Sequence, residues 1–243
     1  MAYNSAATIT QTLRSVSTQT HPEVEHIVVD GGSTDRTCAL VREHGTGATV
    51  LVSGADQGIY DAMNKGVALA SGEVVGFLNS DDRYASGAVL AQVAEAMAAQ
   101  KGLDAVFGDV AFFNPARPER DVRRYRSNRF RPERLGWGWM PAHPAMFVRR
   151  SLFERFGNFR TDYRIAGDYE WVARVFGTRR LQYQHLPHVL VRMQTGGAST
   201  GGWRNTVLLN REVMRACKDN GIPTNWLKIL SKYPAKLSEF IRP

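Results

Sequence analysis

Two adjacent carboxylates, Asp81 and Asp82, follow an apolar run over residues 73–78. The run does not alternate polar and apolar residues, which is typical of a strand buried on both faces. Open α/β sheets bind ligands at the carboxyl ends of their strands. Neighbouring carboxylates repel each other unless a cation lies between them, and Mg²⁺ or Mn²⁺ binds such groups together with phosphate oxygens. The pair therefore predicts a metal-bound diphosphate site, and a polar helix-capping turn is the alternative.

A second strand-like segment, residues 24–30, also ends on a carboxylate, that of Asp30, and two glycines follow it. A strand, a glycine turn and a helix start allow backbone amides and a carboxylate to approach a nucleotide. The glycines do not form G-x-G-x-x-G, which argues against a dinucleotide site of that type. Asn64 and Lys65 lie on the helical pattern of residues 56–71 and can reach a diphosphate, although a solvated lysine fits equally well.

Three residues in the second half are candidates for the acceptor side. Asp168 begins a helical pattern, either as a first-turn charge that interacts with the helix dipole or as a base directed into a cleft. Trp139, beside a glycine, suits stacking on a sugar ring, and a core position is equally compatible. His143 lies between two prolines and is either a structural histidine or a group that acts on the substrate.

The elements that must position these residues alternate between strand and helix up to the acidic pair. Such alternation predicts an α/β protein with a mostly parallel central sheet flanked by helices. Further strands are predicted at residues 104–110, 145–150 and 189–193, with helices at 86–100, 151–156 and 203–218.

Composition places the chain among globular proteins, with 243 residues, 43% hydrophobic and 22% charged residues. A signal peptide and a membrane-spanning run are absent from the sequence, so we expect a cytoplasmic location. The net charge of +8 predicts an anionic partner. We find no nucleic-acid motif, and a phosphorylated substrate or an anionic membrane fits the charge. The arginine-rich segment 117–134 can also be a solvated basic loop.

The segment 222–243 has an apolar and a cationic side. This pattern predicts either a helix on a membrane surface or a helix packed on its own domain. We divide the chain into a domain over residues 1–200 and a basic, amphipathic helical extension over residues 201–243.

Four motifs together resemble the inverting family two glycosyltransferases of the GT-A fold, in particular bacterial enzymes of exopolysaccharide, colanic acid and glycolipid synthesis. They are VVDGGSTDRT, DQGIYDAMNKGVALASGEVVGFLNSDD, HPAMFVRRSLFERFGNF and YRIAGDYEW. The resemblance covers about residues 3–200. It also implies a first buried strand before Tyr3, which we expect this chain to lack.

The resemblance implies a role for each candidate. Asp168 corresponds to the catalytic base, and Asp82 and Asp81 to the metal ligands. The expected donor-binding residues are Tyr3, Asn4, Asp30, Asp56, Asn64, Lys65 and Asp81. Trp139 and His143 are expected on the acceptor side.

The predicted function is metal-dependent, inverting transfer of a hexose-like sugar from a nucleotide-diphosphate sugar to a lipid-linked or growing glycan acceptor. The cofactor is expected to be Mg²⁺ or Mn²⁺, and the location peripheral at the inner face of the plasma membrane, through the basic C-terminal helix. A catalytically silent nucleotide-sugar binding subunit and a nucleotidyltransferase are the alternatives. Donor base, sugar, acceptor and linkage depend on loop shape, which these residues do not specify.

Overall fold

The computed structural model describes residues 1–196 and 202–237. The strands are β1 (His26–Asp30), β2 (Thr49–Ser53), β3 (Val74–Gly76), β4 (Arg83–Tyr84), β5 (Ala105–Asn114), β6 (Arg117–Tyr125), β7 (Met146–Arg149) and β8 (Tyr183–Gln194). The helices are α1 (Ile9–Ser17), α2 (Thr37–His44), α3 (Ile59–Leu69), α4 (Val89–Ala99), α5 (Ser151–Phe156), α6 (Gly167–Phe176), α7 (Trp203–Asp219), α8 (Trp226–Leu230) and α9 (Lys232–Leu237). Short 3₁₀ helices cover Ser127–Arg129, Pro132–Trp137 and His143–Ala145.

The first sheet is the parallel pair β1 and β2, in which Asp30 lies opposite Ser53. Ala2 extends this sheet through a parallel bridge to Asp30, with its N–H 2.8 Å from the carbonyl oxygen of Val29. Asn4 follows in the left-handed region at φ 46°. Tyr3 and Asn4 therefore form a turn after a strand-like residue.

The second sheet has the strand order β3, β7, β5, β8, β4, and β6 pairs with β5. Only the pairing of β5 with β8 is parallel in this sheet, as the structure describes it. The α/β class is confirmed, but the strand pairing is more mixed than the expected, mostly parallel sheet. The reason lies in the connections: β5 and β6 form a hairpin and β7 follows 3₁₀ turns, whereas a parallel pair needs a long crossover.

The main core is built around α6, in which Trp171, Val172 and Val175 are fully buried. Ala216 of α7 and Ile229 of α8 belong to the same core cluster. The C-terminal helices thus pack on the domain, as one of the two alternatives for this segment predicted. The predicted boundary between residues 200 and 201 lies outside the described residues, as do most of the glycine loop at 195–202 and the last six residues, 238–243.

A cavity of about 640 Å³ separates β1 from β3 and is lined by residues 26–29 and 72–78. The two sheets share no strand pairing in the described part of the chain. Met1 crosses this gap, with its amino group 3.2 Å from the carbonyl oxygen of Leu78. None of the predicted site residues lines the cavity, which is therefore distinct from the candidate site.

Candidate active site

Asp82 is buried, with 2% of its surface exposed, in the turn between β3 and β4. One carboxylate oxygen accepts from the Asn79 amide at 3.1 Å and the other from the backbone N–H of Gln194 at 3.3 Å. The hydroxyl of Thr12 in α1 donates to the Asp82 carbonyl at 2.7 Å. Burial, and then the charge of Asp81, raise the pKa of Asp82 to about 7. The hydrogen bonds in the turn therefore do not fully offset the cost of burying the charged form of Asp82.

Asp81, next to it, is half-buried. In residues 1–196 and 202–237 neither carboxylate forms an ion pair with a lysine, arginine or histidine. A cation is the group that would offset both charges, so the donor set fits a hard divalent ion. No cluster of three or more acidic, histidine or cysteine ligands occurs in these described residues. Two carboxylates suffice where substrate phosphates and water complete the shell, which is the usual Mg²⁺ arrangement.

Asp30 is buried at the end of β1 and organises the turn that follows. Its carboxylate accepts from the backbone N–H of Ser33 at 3.0 Å, from the Ser33 hydroxyl, and from the Ser53 hydroxyl at 2.7 Å. Burial alone would raise the pKa of Asp30, but these hydrogen bonds outweigh it and lower the pKa to about 2. Asp30 is therefore ionised and shapes the loop where a nucleoside was predicted.

The N-terminal turn lies against this loop. The Asn4 side-chain oxygen accepts from the Thr34 N–H at 2.9 Å, and the Asn4 N–H donates to the Ser33 hydroxyl at 2.8 Å. The adjacent Tyr3 is 64% exposed. The structure thus brings Tyr3, Asn4 and Asp30 together, with the Tyr3 side chain largely open to solvent.

Asp56 also lies at this loop, because its carboxylate would be 2.5 Å from a Cβ atom placed on Gly31. Lys65 donates to the Ala55 carbonyl at 3.0 Å and pairs with Asp61 at 3.0 Å. Both residues therefore border the Asp30 loop.

Asn64 has a different environment. Its amide donates to the Phe159 carbonyl and accepts from the Phe159 N–H, both at 2.9 Å. This pair of bonds fastens α3 to the loop after α5. The amide that was predicted to reach the donor is thus engaged in packing, which the helical pattern of the sequence could not indicate.

Asp168 is half-buried in the first turn of α6. One oxygen of its carboxylate accepts from the Tyr169 N–H at 2.8 Å and from the Tyr60 hydroxyl at 3.3 Å. Burial, and then the charge of Asp168, raise the pKa of Tyr60, so its hydroxyl remains a proton donor. Glu170, two residues further on, is buried and paired with Arg174 at 3.0 Å. Asp168 is therefore the accessible carboxylate of this turn.

His143 connects the two acidic regions. Its ring stacks on Phe77, in the segment that leads to the acidic pair, at a centroid distance of 5.3 Å, and it meets Phe159 edge-on. Burial lowers the pKa of His143, and the nearby charge of Asp168 opposes this shift. Its Nε2 atom has no hydrogen-bond partner in the described structure. Trp139 lies apart from His143 in this contact network and stacks on Tyr125 at 6.4 Å.

Tyr60, Asn79 and Glu212 were not among the predicted site residues, and their side chains contact the acidic residues or the loop before Asp168. Tyr60 and Glu212 lie on helices, where the sequence pattern does not distinguish them from ordinary packing or surface residues. Asn79 stands three residues before Asp82, and its position in the polar turn was the one available signal.

Comparison with protein families gives a match over residues 1–157 to the family described as Glycosyl transferase family 2. Among curated proteins, a PGL/p-HBAD biosynthesis glycosyltransferase of Mycobacterium bovis is 33% identical over 208 residues, which cover 84% of this chain and 77% of the relative.

Solved structures of glycosyltransferases share the fold. Staphylococcus aureus TarS 1-349 in complex with UDP-GlcNAc matches with a TM-score of 0.65 and 19% identity, over 88% of this chain and 64% of the TarS chain. Glucosyl-3-phosphoglycerate synthase from Mycobacterium tuberculosis, solved with Mn²⁺, UDP-glucose and phosphoglyceric acid, matches with a TM-score of 0.60 and 20% identity, over 92% of this chain and 79% of that one. The present chain thus spans less than two thirds of the TarS chain. These structures confirm the predicted fold.

Proposed function

Because the chain belongs to glycosyl transferase family 2, we propose that it transfers a hexose-like sugar from a nucleotide-diphosphate sugar to an acceptor hydroxyl with inversion. The proposal rests on the presence of an adjacent pair of carboxylates in one turn and of a single accessible carboxylate at the start of α6. Asp81 and Asp82 form an acidic pair without a lysine, arginine or histidine ion pair in the described residues, whereas Asp168 is single, half-buried and lies beside Tyr60.

In this proposal Asp168 accepts the proton of the acceptor hydroxyl. The hydroxyl oxygen bonds to the anomeric carbon on the face opposite the leaving group, and the bond from that carbon to the diphosphate breaks. Inversion needs a base on the attacking side only, and one accessible carboxylate meets this requirement. The Tyr60 hydroxyl, which donates to the Ile165 carbonyl at 2.6 Å, lies 3.3 Å from the carboxylate oxygen that accepts from the Tyr169 N–H, and so borders Asp168 on this side.

Asp81 and Asp82 would hold Mg²⁺ or Mn²⁺. The bound ion would neutralise the charge that develops on the departing diphosphate. The loop formed by Tyr3, Asn4, Asp30 and Asp56 would contact the nucleoside. The Mn²⁺ and UDP-glucose in the crystals of the glucosyl-3-phosphoglycerate synthase support, by similarity of fold, a nucleotide-sugar donor here.

We extend the proposal to the acceptor, which we take to be lipid-linked or a growing glycan presented at the cytoplasmic face of the membrane. The outer side of α8 supports this partner. Trp226, Leu227 and Leu230 are 48%, 82% and 46% exposed there, and Lys228 lies over Trp137 at 5.6 Å. The sequence has three lysines and no acidic residue over positions 220–237. The proposed association is peripheral, through this exposed surface of α8. In the described residues no helix is both long and apolar enough to cross a bilayer.

The Asp168→Asn variant tests the proposal. We expect its turnover to fall by about 10²- to 10⁴-fold, since the amide cannot accept the acceptor proton. Nucleotide-dependent thermal stabilisation in the presence of Mn²⁺ should stay as in the wild type. The assay follows transfer of radiolabelled sugar from several nucleotide-diphosphate sugars, together with the released nucleotide.

Three outcomes contradict the proposal in different ways. Unchanged transfer by Asp168→Asn removes this residue as the base. Donor binding by the wild type without transfer to any acceptor identifies a silent nucleotide-sugar binding subunit. Release of pyrophosphate instead of a nucleoside diphosphate identifies a nucleotidyltransferase.

A further inference from the structure

The loop that precedes Asp168 is held by a carboxylate from another helix. Glu212, on α7, accepts hydrogen bonds from the backbone N–H groups of Arg164, Ile165 and Ala166, each at 2.8 Å. Ala166 is the residue that precedes the first turn of α6. Glu212 therefore caps the start of the helix that carries Asp168, although the two residues are far apart in sequence.

Glu212 is buried, so its carboxylate depends on these hydrogen bonds in place of water. Its residue surface is 8% exposed, and a buried carboxylate is costly unless hydrogen bonds satisfy it. In the described part of the chain Glu212 has no ion pair with a basic side chain, so the three N–H groups are its observed partners. Bonds from N–H groups to a charged carboxylate are stronger than neutral ones. The loop backbone is thus fixed relative to α7.

The opposite side of the same peptide is held by α3. The Tyr60 hydroxyl donates to the Ile165 carbonyl at 2.6 Å and contacts the Asp168 carboxylate at 3.3 Å. The peptide unit between Ile165 and Ala166 therefore has its carbonyl oxygen bound by Tyr60 and its N–H bound by Glu212. Tyr60 of α3 and Glu212 of α7 thus bind the two polar groups of this peptide unit, which lies shortly before Asp168.

A second set of contacts joins α7 to the earlier part of the loop. Arg215 pairs with Asp162, and Asp219 accepts from Arg160 at 2.8 Å and from the Tyr163 hydroxyl at 3.1 Å. The charged partners are exposed or half-buried, so each ion pair contributes little alone, whereas Tyr163 is buried. They place α7 along the whole loop, with Glu212 at the end nearest Asp168.

We propose that Glu212 is a positioning residue for sugar transfer, which sets the orientation of Asp168 by holding residues 164–166. The inference rests on the proposed role of Asp168 as the base. Glu212 lies beyond residues 1–157, the part of the chain matched by the family. Its action is on the loop backbone, so it should affect the chemical step and not donor binding.

The experiment compares Glu212→Gln with Glu170→Gln in the full chain. A glutamine keeps one acceptor oxygen, and its NH₂ group would face a backbone N–H of the loop. We expect kcat to fall by about 10- to 100-fold, as misplacement of a reacting group does, with KM for the donor within about twofold of the wild type. Glu170 is the matched control, because it is a buried glutamate of α6 that pairs with Arg174 instead of the loop. Its variant should lose thermal stability while kcat stays within about twofold.

Two further variants keep the test decisive. Glu212→Asp retains the charge and should recover part of the lost kcat. Tyr60→Phe removes the hydrogen bond to the Ile165 carbonyl without a change of charge. This variant should lower kcat with KM unchanged, and it can be measured even if Glu212→Gln does not fold. A wild-type kcat in Glu212→Gln, or equal kcat losses in the Glu212 and Glu170 variants, would overturn the inference. If Asp168→Asn also retains activity, the proposed base is wrong and the positioning role falls with it; if Asp168→Asn is inactive, only the role of Glu212 is rejected.

Discussion

Asp82 is the residue whose environment departs furthest from that of an ordinary surface carboxylate. It is buried, hydrogen-bonded through both oxygens and adjacent to a second carboxylate. The pKa of Asp82 is about 7 in the metal-free protein, whereas an aspartate of the unfolded chain has a pKa near 4. Between these two pH values the folded protein keeps the Asp82 proton and the unfolded chain releases it. The ionised side chain therefore costs stability above pH 7 in the absence of a cation.

We expect Asp82→Asn to raise the stability of the metal-free protein at pH 8 by about 2 kcal/mol. The sign follows from the raised pKa: the penalty is fully present above pH 7, shrinks as the pH falls from 7 towards 4, and is absent below the unfolded-state pKa near 4. At about pH 4, near the aspartate pKa of the unfolded chain, the variant and the wild type should thus differ little. Urea unfolding at both pH values in the presence of a chelator measures the difference.

Manganese should reverse the order of the two proteins. The wild type should gain thermal stability with Mn²⁺ and nucleotide at pH 8, whereas Asp82→Asn should gain much less. A variant that is less stable than the wild type at pH 8 without metal would show that Asp82 has other, stabilising partners.

At the start of α6, a close packing contact lies directly beside the proposed base. Gly167 lies against the ring of Tyr60, and a Cβ atom there would be 2.7 to 2.9 Å from three ring atoms. Such distances require the ring to move, and the ring carries the hydroxyl that contacts Ile165 and Asp168. Side-chain bulk at this position therefore acts on the base through Tyr60.

Gly167→Ala should lower the free energy of unfolding by about 1–3 kcal/mol, since overpacking outweighs the helix propensity gained. Its kcat should fall as in Tyr60→Phe. Gly54→Ala is the control, because a Cβ atom at Gly54 meets no other atom within 4 Å. Thermal unfolding and steady-state kinetics on both variants test the expectation, and a Gly167→Ala variant with full stability and activity would contradict it.

Local pattern was sufficient for some elements and not for others. The helix predicted at 151–156 is α5 (Ser151–Phe156), because its sequence periodicity and boundaries are local. The strand predicted at 189–193 extends over Tyr183–Gln194, since pairing with β5 through register shifts lengthens it. Conversely, residues 73–78 form a strand only at Val74–Gly76, where β7 pairs with them. Hydrogen bonding to strands distant in sequence therefore set the length of both strands.

The candidate site shows the same limit. Asp30, Asp81 and Asp82 were found because carboxylates at strand ends have a chemical meaning in sequence. Glu212 was not found, because a glutamate on an amphipathic helix resembles a solvated residue until its partners, 46 to 48 positions away, are known. Asn64 shows a contact that sequence could not indicate, since this polar helical residue near the donor loop binds the backbone of Phe159.

At the scale of the whole molecule, the exposed apolar side chains of α8 lie beside the 3₁₀ helix Pro132–Trp137, which leads to Trp139. A membrane that covers this surface would bring its lipids to the side where acceptor residues were predicted. The excess of positive charge favours anionic lipids.

Leu227→Glu should reduce sedimentation with vesicles of phosphatidylglycerol and phosphatidylcholine by about tenfold, because it removes apolar contact and adds a negative charge. Val50→Glu is a matched control on β2, at a position 45% exposed. Transfer to a water-soluble acceptor should be unaffected in both. Equal vesicle binding by the two variants would exclude α8 as the membrane contact.

The candidate site draws its residues from both sheets. Asp30 and the turn after it belong to the β1–β2 pair, whereas Asp81 and Asp82 connect β3 to β4 of the larger sheet. A donor that binds with its nucleoside on one sheet and its phosphates on the other would connect the two sheets. It would add to the contacts by which Met1, Ser5 and Thr12 already join the N-terminal segment to residues 78–82.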